Sequence, residues 1–252
     1  MNDFPDPTAW ALLLLVVSAI ALIAITVLDR RRKTEIHLRE IRAFTDLRDQ
    51  LKQAAESGRP LHIALGGGGL GTPDTVSSLA ALQVLEGLID AAVSYDVAPF
   101  VTVGDPTLLP LAQDVVRRGY ERNDVPDFYD PCLVRFVAPS ALAYSAGAVP
   151  VGVPEDVSAN VVVGVFGAEA SLIADISDRH GTPKAAAVDR AQAIGALYPA
   201  TDRLAVGEEL YAAGAQVTGK KGLATSLMVE DVLRYVLALF ILMAAAIVLI
   251  TG

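Results

Sequence analysis

Two apolar blocks, one near each end of the chain, constrain everything between them. The first, Thr8 to Leu28 (TAWALLLLVVSAIALIAITVL), runs 21 residues without a charge. A helix rises 1.5 Å per residue, so this block spans about 31 Å, close to the hydrocarbon thickness of a bilayer. The second, Val232 to Ile250 (VLRYVLALFILMAAAIVLI), carries a single charge, Arg234. It lies near the start, where the long stem reaches the headgroups. Neither block has the polar stripe of a core helix, so both are expected to be transmembrane helices.

The blocks also account for the composition. Apolar residues make up 53% of the chain and charged residues only 19%. The 40 residues of the two blocks hold 36 apolar ones, and without them the apolar share falls to about 46%, ordinary for a globular domain. Disorder is excluded by that hydrophobicity. One cysteine, Cys132, forms no disulfide within the chain. A net charge of −9 lacks the basic footprint of a nucleic-acid binder.

Charge placement sets the expected topology. The leading tail MNDFPDP is acidic, and the basic cluster Arg30-Arg31-Arg32-Lys33 follows the first block. A cleaved signal peptide has its positive charges in front, so the block reads as an uncleaved anchor. Trp10 sits at its outer end, where an amphipathic ring favours the interface. All 20 Lys and Arg lie from Arg30 to Arg234. The expected order is an outer tail (1–7), a transmembrane helix (8–28), a stalk helix (29–58) and a cytoplasmic domain (59–222). A juxtamembrane stretch (223–231), a second transmembrane helix (232–250) and an outer tail (251–252) follow. In the stalk, Ile41, Phe44, Leu47, Leu51 and Ala54 recur at spacings of three and four and make one apolar stripe. It can dock on the central domain or seam against another copy.

From Leu61 onward short apolar runs alternate with helical patterns. The runs are LHIAL (61–65), PFVTV (99–103), VRFVA (134–138), NVVVGVF (160–166) and AAAV (185–188). Each of the first four leads to a Gly, Pro or Ser and then to a helix. Thr72 and Pro73 are expected to open the first helix, with Val76, Leu79, Leu82, Leu85 and Ile89 on its buried face. Runs that are apolar throughout are what strands covered on both faces look like. Strands alternating with helices imply a parallel sheet. The expected fold is therefore α/β, a Rossmann-like, mostly parallel sheet with flanking helices. The stretch from Tyr198 to Gly222 reads as a helix around 206–215.

The sharpest motif is GGGGLG, Gly66 to Gly71, between a strand and a helix. It satisfies G-x-G-x-x-G, in which glycines admit a phosphate to the backbone and to the helix N-terminus. The dinucleotide version also places an acid at the end of the second strand, about 20 residues on. Asp105 has that place but lies 34 residues beyond Gly71, so the spacing fits poorly. No Walker lysine follows Gly71. In such a sheet ligands sit at the carboxyl ends of the strands. Candidate ligand contacts there are Gly66, Gly67, Gly68, Gly69, Gly71, Thr72, Asp105, Thr107, Ser140, Tyr144 and Glu169. Asp105 and Ser140 can equally be N-caps, and Glu169 can equally favour a helix start. His37, His62 and His180 lie apart in the sequence and form no catalytic or metal-binding motif, so no catalytic residue, metal or cofactor is required.

The blocks GGGGLGTPDT, TVGDPTLLPLAQDVV, VRFVAPSALAYSAG and VGVFGAEASLIAD resemble an uncharacterised family of bacterial membrane proteins. That resemblance implies a bacterial inner-membrane protein with two anchors, and no activity. The expected role is a scaffold or assembly protein, oligomeric or joined to other membrane proteins. A nucleotide- or phosphometabolite-sensing module at Gly66–Gly71 is the alternative, and an NAD-type oxidoreductase a third.

Overall fold

The structure is a computed structural model. It describes residues 58–148, 157–201 and 203–218, with positions 12, 16, 17, 19, 20, 23, 41, 44, 55, 56, 234, 235, 237, 238 and 241 in the flanking segments. The chain divides into two compact units, residues 39–219 and residues 1–38 with 220–252.

The larger unit is built on six strands: β1 (Leu61–Gly66), β2 (Pro99–Val103), β3 (Val134–Phe136), β4 (Ala159–Val165), β5 (Lys184–Val188) and β6 (Leu204–Val206). All pairs are parallel, in the order β3-β2-β1-β4-β5-β6. That is the strand order of dinucleotide-binding doubly wound folds. The helices between and after them are α1 (Thr75–Ser94), α2 (Leu109–Arg122), α3 (Ala141–Ala148), α4 (Ala170–Arg179), α5 (Ala191–Leu197) and α6 (Glu209–Thr218). The Rossmann-like parallel fold is as the apolar runs imply.

Strand alternation divides the core in two. Leu61, Ile63, Leu65, Val101, Val103, Val161 and Val163 pack under α1, α2 and α6. Ala64, Val162, Ala186 and Val188 face Tyr144 of α3, Ile173 of α4 and Ala193 of α5 on the other side. Because β1, β2, β4 and β5 are covered on both faces, they read as largely apolar runs rather than alternating ones.

Three local expectations are corrected. The sixth strand, β6, is three residues at the sheet edge and has no periodic signal, and the helix after it starts later, at Glu209. In α1 the apolar face is narrower than its spacing suggests. Leu82, Leu85 and Ile89 are buried, but Val76 and Leu79 are exposed, on the first turns of the helix. Thr72 is not the cap of α1. That position belongs to Asp74, and Thr72 instead folds a turn before it, its Oγ1 donating to Gly69 O (3.0 Å) and accepting from Asp74 N (3.2 Å).

Helix α1 is, among the described residues, the one helix long and apolar enough to cross a membrane, and it is mostly buried inside its unit. The two blocks expected to be transmembrane helices lie largely outside the described residues. At their described positions the chain is helical, and Leu12, Val16, Val17, Ile20, Ile23, Tyr235, Leu237 and Ile241 are exposed. Of the stalk stripe, Ile41 and Phe44 are buried in the core beneath α1 and α6. Leu47, Leu51 and Ala54 lie outside the described residues.

Helix α6 runs parallel to α1. Tyr211 meets Ser77, Gly214 meets Gln83, and Val217 packs where Gly87 has no side chain. The end of α6 is joined to the stalk by a reciprocal pair of hydrogen bonds. Ile41 N donates to Gln216 Oε1 (2.7 Å), and Gln216 Nε2 donates to Ile41 O (3.3 Å). Residues 41 and 216 are therefore side by side in the larger unit.

Candidate functional site

The strand order reverses direction between β1 and β4. The connection after β1 climbs to α1 on one face, and that after β4 to α4 on the other. The crevice between diverging connections is where doubly wound folds bind ligands, and Gly66 to Gly71 borders it.

The loop is tightly made. Gly66 has φ +76, a left-handed conformation that glycine adopts without steric cost. Its N–H reaches Tyr144 Oη (3.3 Å), and its carbonyl accepts from Gly104 N (2.8 Å). Gly67 N donates to Val165 O (3.0 Å). A Cβ on Gly68 would stand 2.5 Å from Ser78 Oγ, and one on Gly69 2.5 Å from Asp105 Oδ2. Gly67 and Gly71 are exposed, with open space where a Cβ would be. Two of the glycines thus serve packing against α1, β4 and the β2 loop, and two face outward.

Asp105 shows why spacing misjudged the acid. It lies two residues past β2, at the place of the dinucleotide-fold acid, and the 20-residue α1 accounts for the extra distance in sequence. It is not the cap of α2, which begins at Leu109. Its Oδ1 accepts from Thr107 N (2.8 Å) and from Thr107 Oγ1. Thr107 Oγ1 in turn accepts from Leu70 N (2.9 Å). The β2 loop thereby latches the glycine loop.

The other candidates divide. Glu169 turns back to its own loop, accepting from Gly167 N (2.6 Å). Ser140 is exposed and precedes α3, where its carbonyl receives Tyr144 N (2.7 Å). Tyr144 is 1% exposed and lies beneath the loop, not in the crevice. Burial pushes its hydroxyl up to about 12, so it stays protonated and donates to Thr102 O (3.1 Å). Tyr144→Phe leaves the Gly66 N–H without its partner. We expect it to cost about 2 kcal/mol, read as faster hydrogen exchange at the Gly66 amide.

A side-chain constellation that sequence reasoning missed lies at the start of α1. Ser77 Oγ donates to Asp189 Oδ2 and lies 3.0 Å from Tyr211 Oη. Beside it, Arg190 pairs with Asp74 (2.6 Å). Asp189 follows β5, and strand order alone brings it to the start of α1. The edge therefore carries Asp105, Glu169 and Asp189, while the nearby guanidinium is already held by Asp74. A phosphate on Gly67–Gly69 would face the Asp105 carboxylate. Like unit charges about 5 Å apart repel by about 3 kcal/mol at an effective dielectric of about 20.

His62 is deep in the sheet. Its Nδ1 is 2.7 Å from Asn160 Oδ1 and its Nε2 3.0 Å from Thr102 Oγ1. Because Asn160 Oδ1 only accepts, Nδ1 is assigned the proton and Nε2 accepts from the threonine. Asn160 Nδ2 continues to Ser177 Oγ (2.9 Å), which donates to Ile173 O (2.7 Å). Thr102 Oγ1 lies 3.1 Å from Tyr144 Oη. One buried chain of hydrogen bonds thus crosses β4, β1 and β2 and ends at Gly66.

The chain belongs to the family described as a domain of unknown function, DUF6754, whose model matches residues 3–252. No curated protein and no solved structure matches it.

Proposed function

We propose that this DUF6754 chain is a membrane-tethered assembly protein. Both apolar blocks cross a bacterial inner membrane with the tails outside. The α/β unit lies in the cytoplasm and packs with copies of itself or with other membrane proteins. The carrying observation is the outward turn of apolar side chains in the terminal blocks. Leu12 is 66% exposed, Ile20 and Ile23 61%, and Ile241 57%. Apolar helix surface of this kind is covered by lipid or by another chain. The glycine loop supports a non-catalytic role, because Gly68 and Gly69 are closed by Ser78, Val165 and Asp105 of the same chain. Crosslinking in intact membranes, followed by sizing in mild detergent, tests the reading. We expect species larger than the monomer or a copurifying membrane protein. A strictly monomeric species without a partner overturns it.

The strand order favours a second reading, a sensor module with its ligand at Gly66–Gly71. The carboxylates of the edge weigh against its nucleotide form. They weigh equally against an NAD-type oxidoreductase, for which His62, sealed in the sheet, supplies no accessible base. Thermal shift of the full chain with nucleotides tests both, and a shift lost on Gly68→Val would favour them over the assembly reading.

A further inference from the structure

The buried chain of hydrogen bonds through the sheet has no fixed direction, and His62 stands at its centre. Burial lowers the pKa of this histidine to about 4, so at neutral pH the ring carries one proton on one of its two nitrogens. With the proton on Nδ1, it is donated to Asn160 Oδ1 (2.7 Å), and Thr102 Oγ1 donates to Nε2 (3.0 Å). Asn160 Nδ2 then donates to Ser177 Oγ (2.9 Å), and Ser177 Oγ to Ile173 O (2.7 Å). At the other end Tyr144 Oη donates to Thr102 O (3.1 Å) and accepts from Gly66 N (3.3 Å). Both hydroxyl protons are then in use, and the 3.1 Å contact between Thr102 Oγ1 and Tyr144 Oη holds no hydrogen.

The same heavy atoms support the reverse arrangement. A half-turn of the Asn160 amide exchanges its oxygen and nitrogen in place. Asn160 Nδ2 now donates to Nδ1, Ser177 Oγ donates to Asn160 Oδ1, and the ring proton sits on Nε2, aimed at Thr102 Oγ1. The Thr102 hydroxyl turns to Tyr144 Oη and fills the empty contact. Ile173 O loses the serine but keeps its helical partner. Each arrangement contains as many hydrogen bonds as the other, and linked bonds of this kind reverse together because each polarises the next. We propose that His62 is a two-position tautomeric relay that couples the glycine loop to α4 through reversal of this chain. Exchange passes through the imidazolium: one proton enters at Nε2 from water and the other leaves Nδ1, so none is gained. The two ends sense the reversal differently. Ser177 lets go of the Ile173 carbonyl, and Tyr144 Oη shares its lone pairs between Thr102 and Gly66, which weakens the Gly66 bond. Two sites that bias one two-state element are coupled by it. The relay is independent of the assembly reading.

NMR of the full chain in micelles, with nitrogen-labelled histidine, tests this at about pH 8, where ordinary histidines are neutral too. The shifts of the two ring nitrogens give the tautomer ratio, and His62→Gln identifies their signals by loss. Tyr144→Phe removes the acceptor that the Thr102 hydroxyl needs in the reverse arrangement, so the ratio should move toward the Nδ1 proton. Ser177→Ala removes the acceptor that Asn160 Nδ2 needs in the first, so the ratio should move toward the Nε2 proton. One hydrogen bond corresponds to a change of about fivefold in either direction. Ser177→Ala should also speed exchange at the Gly66 amide, which the serine does not touch. If Tyr144→Phe fails to fold, Asn160→Asp takes its place, because a carboxylate only accepts and holds the proton on Nδ1. A ratio left unchanged by either variant, or moved the same way by both, overturns the proposal.

Discussion

Gly164→Ala should destabilise the α/β unit by about 4 kcal/mol, whereas Gly71→Ala, inside the glycine motif, should cost only about 1 kcal/mol. Gly164 stands in the central strand β4 with φ +114, a conformation closed to side-chain-bearing residues. A Cβ there would also come within 2.7 Å of Leu65 O and 3.0 Å of the Ala81 Cβ. Neither neighbour yields easily, since one is sheet backbone and the other the core face of α1. Gly71 has φ +75 but nothing within 4 Å, so its substitution meets backbone strain alone. Gly66→Ala belongs with the costly group, because its added carbon would strike Val165 O and lie 2.9 Å from Phe166 Cε2. Opening free energies from hydrogen exchange of the slowest sheet amides, measured on the full chain in micelles, would rank the three. Equal costs at Gly164 and Gly71 would show that this packing argument is wrong.

Acidification from pH 7 to pH 4 should remove stability on the order of 3 kcal/mol through His62 alone. Burial lowers its pKa from 6.5 to about 4, against a smaller raising influence from the Asn160 hydrogen bond. Between those values the unfolded chain binds a proton that the folded chain refuses. Stability is therefore fully present above about pH 6.5 and falls as the pH drops toward 4. The histidine is fully buried, so solvent screens little of this. His62→Gln keeps a donor and an acceptor in the strand but does not titrate. Subtracting its pH–stability curve from that of the parent isolates the contribution, since all other carboxylates and histidines cancel. Parallel curves between pH 4 and 6.5 would mean that His62 ionises within the fold as it does in water.

Hydropathy made the parallel sheet legible because β1, β2, β4 and β5 are buried on both faces and read as apolar runs. It could not reveal β6, whose three residues Leu204, Ala205 and Val206 lie at an edge without a pattern. The polar chain through the sheet was in plain view yet unreadable. His62, Thr102 and Asn160 each looked like an isolated polar residue in an apolar strand. Only the order β2-β1-β4 makes them neighbours. The site fared similarly. The glycine cluster and Asp105 stood out by type, but spacing assumed a shorter helix and so discounted the acid. Ser77, Ser78 and Asp189 carry no local motif. They converge because β5 ends beside the start of α1, which is a property of topology.

The pair of hydrogen bonds between Ile41 and Gln216 has a consequence for how the whole chain is organised. The places where the polypeptide enters and leaves the α/β unit are adjacent, so the unit has the connectivity of an insert. Domains whose ends lie together are the ones that tolerate transplantation into other chains. Removing the insert between these two positions and joining the cut ends leaves only a short gap to close. The residues on either side then form a continuous polypeptide in which the two apolar blocks follow one another in sequence. In that description the α/β unit is an exchangeable insert between the two apolar blocks of the sequence.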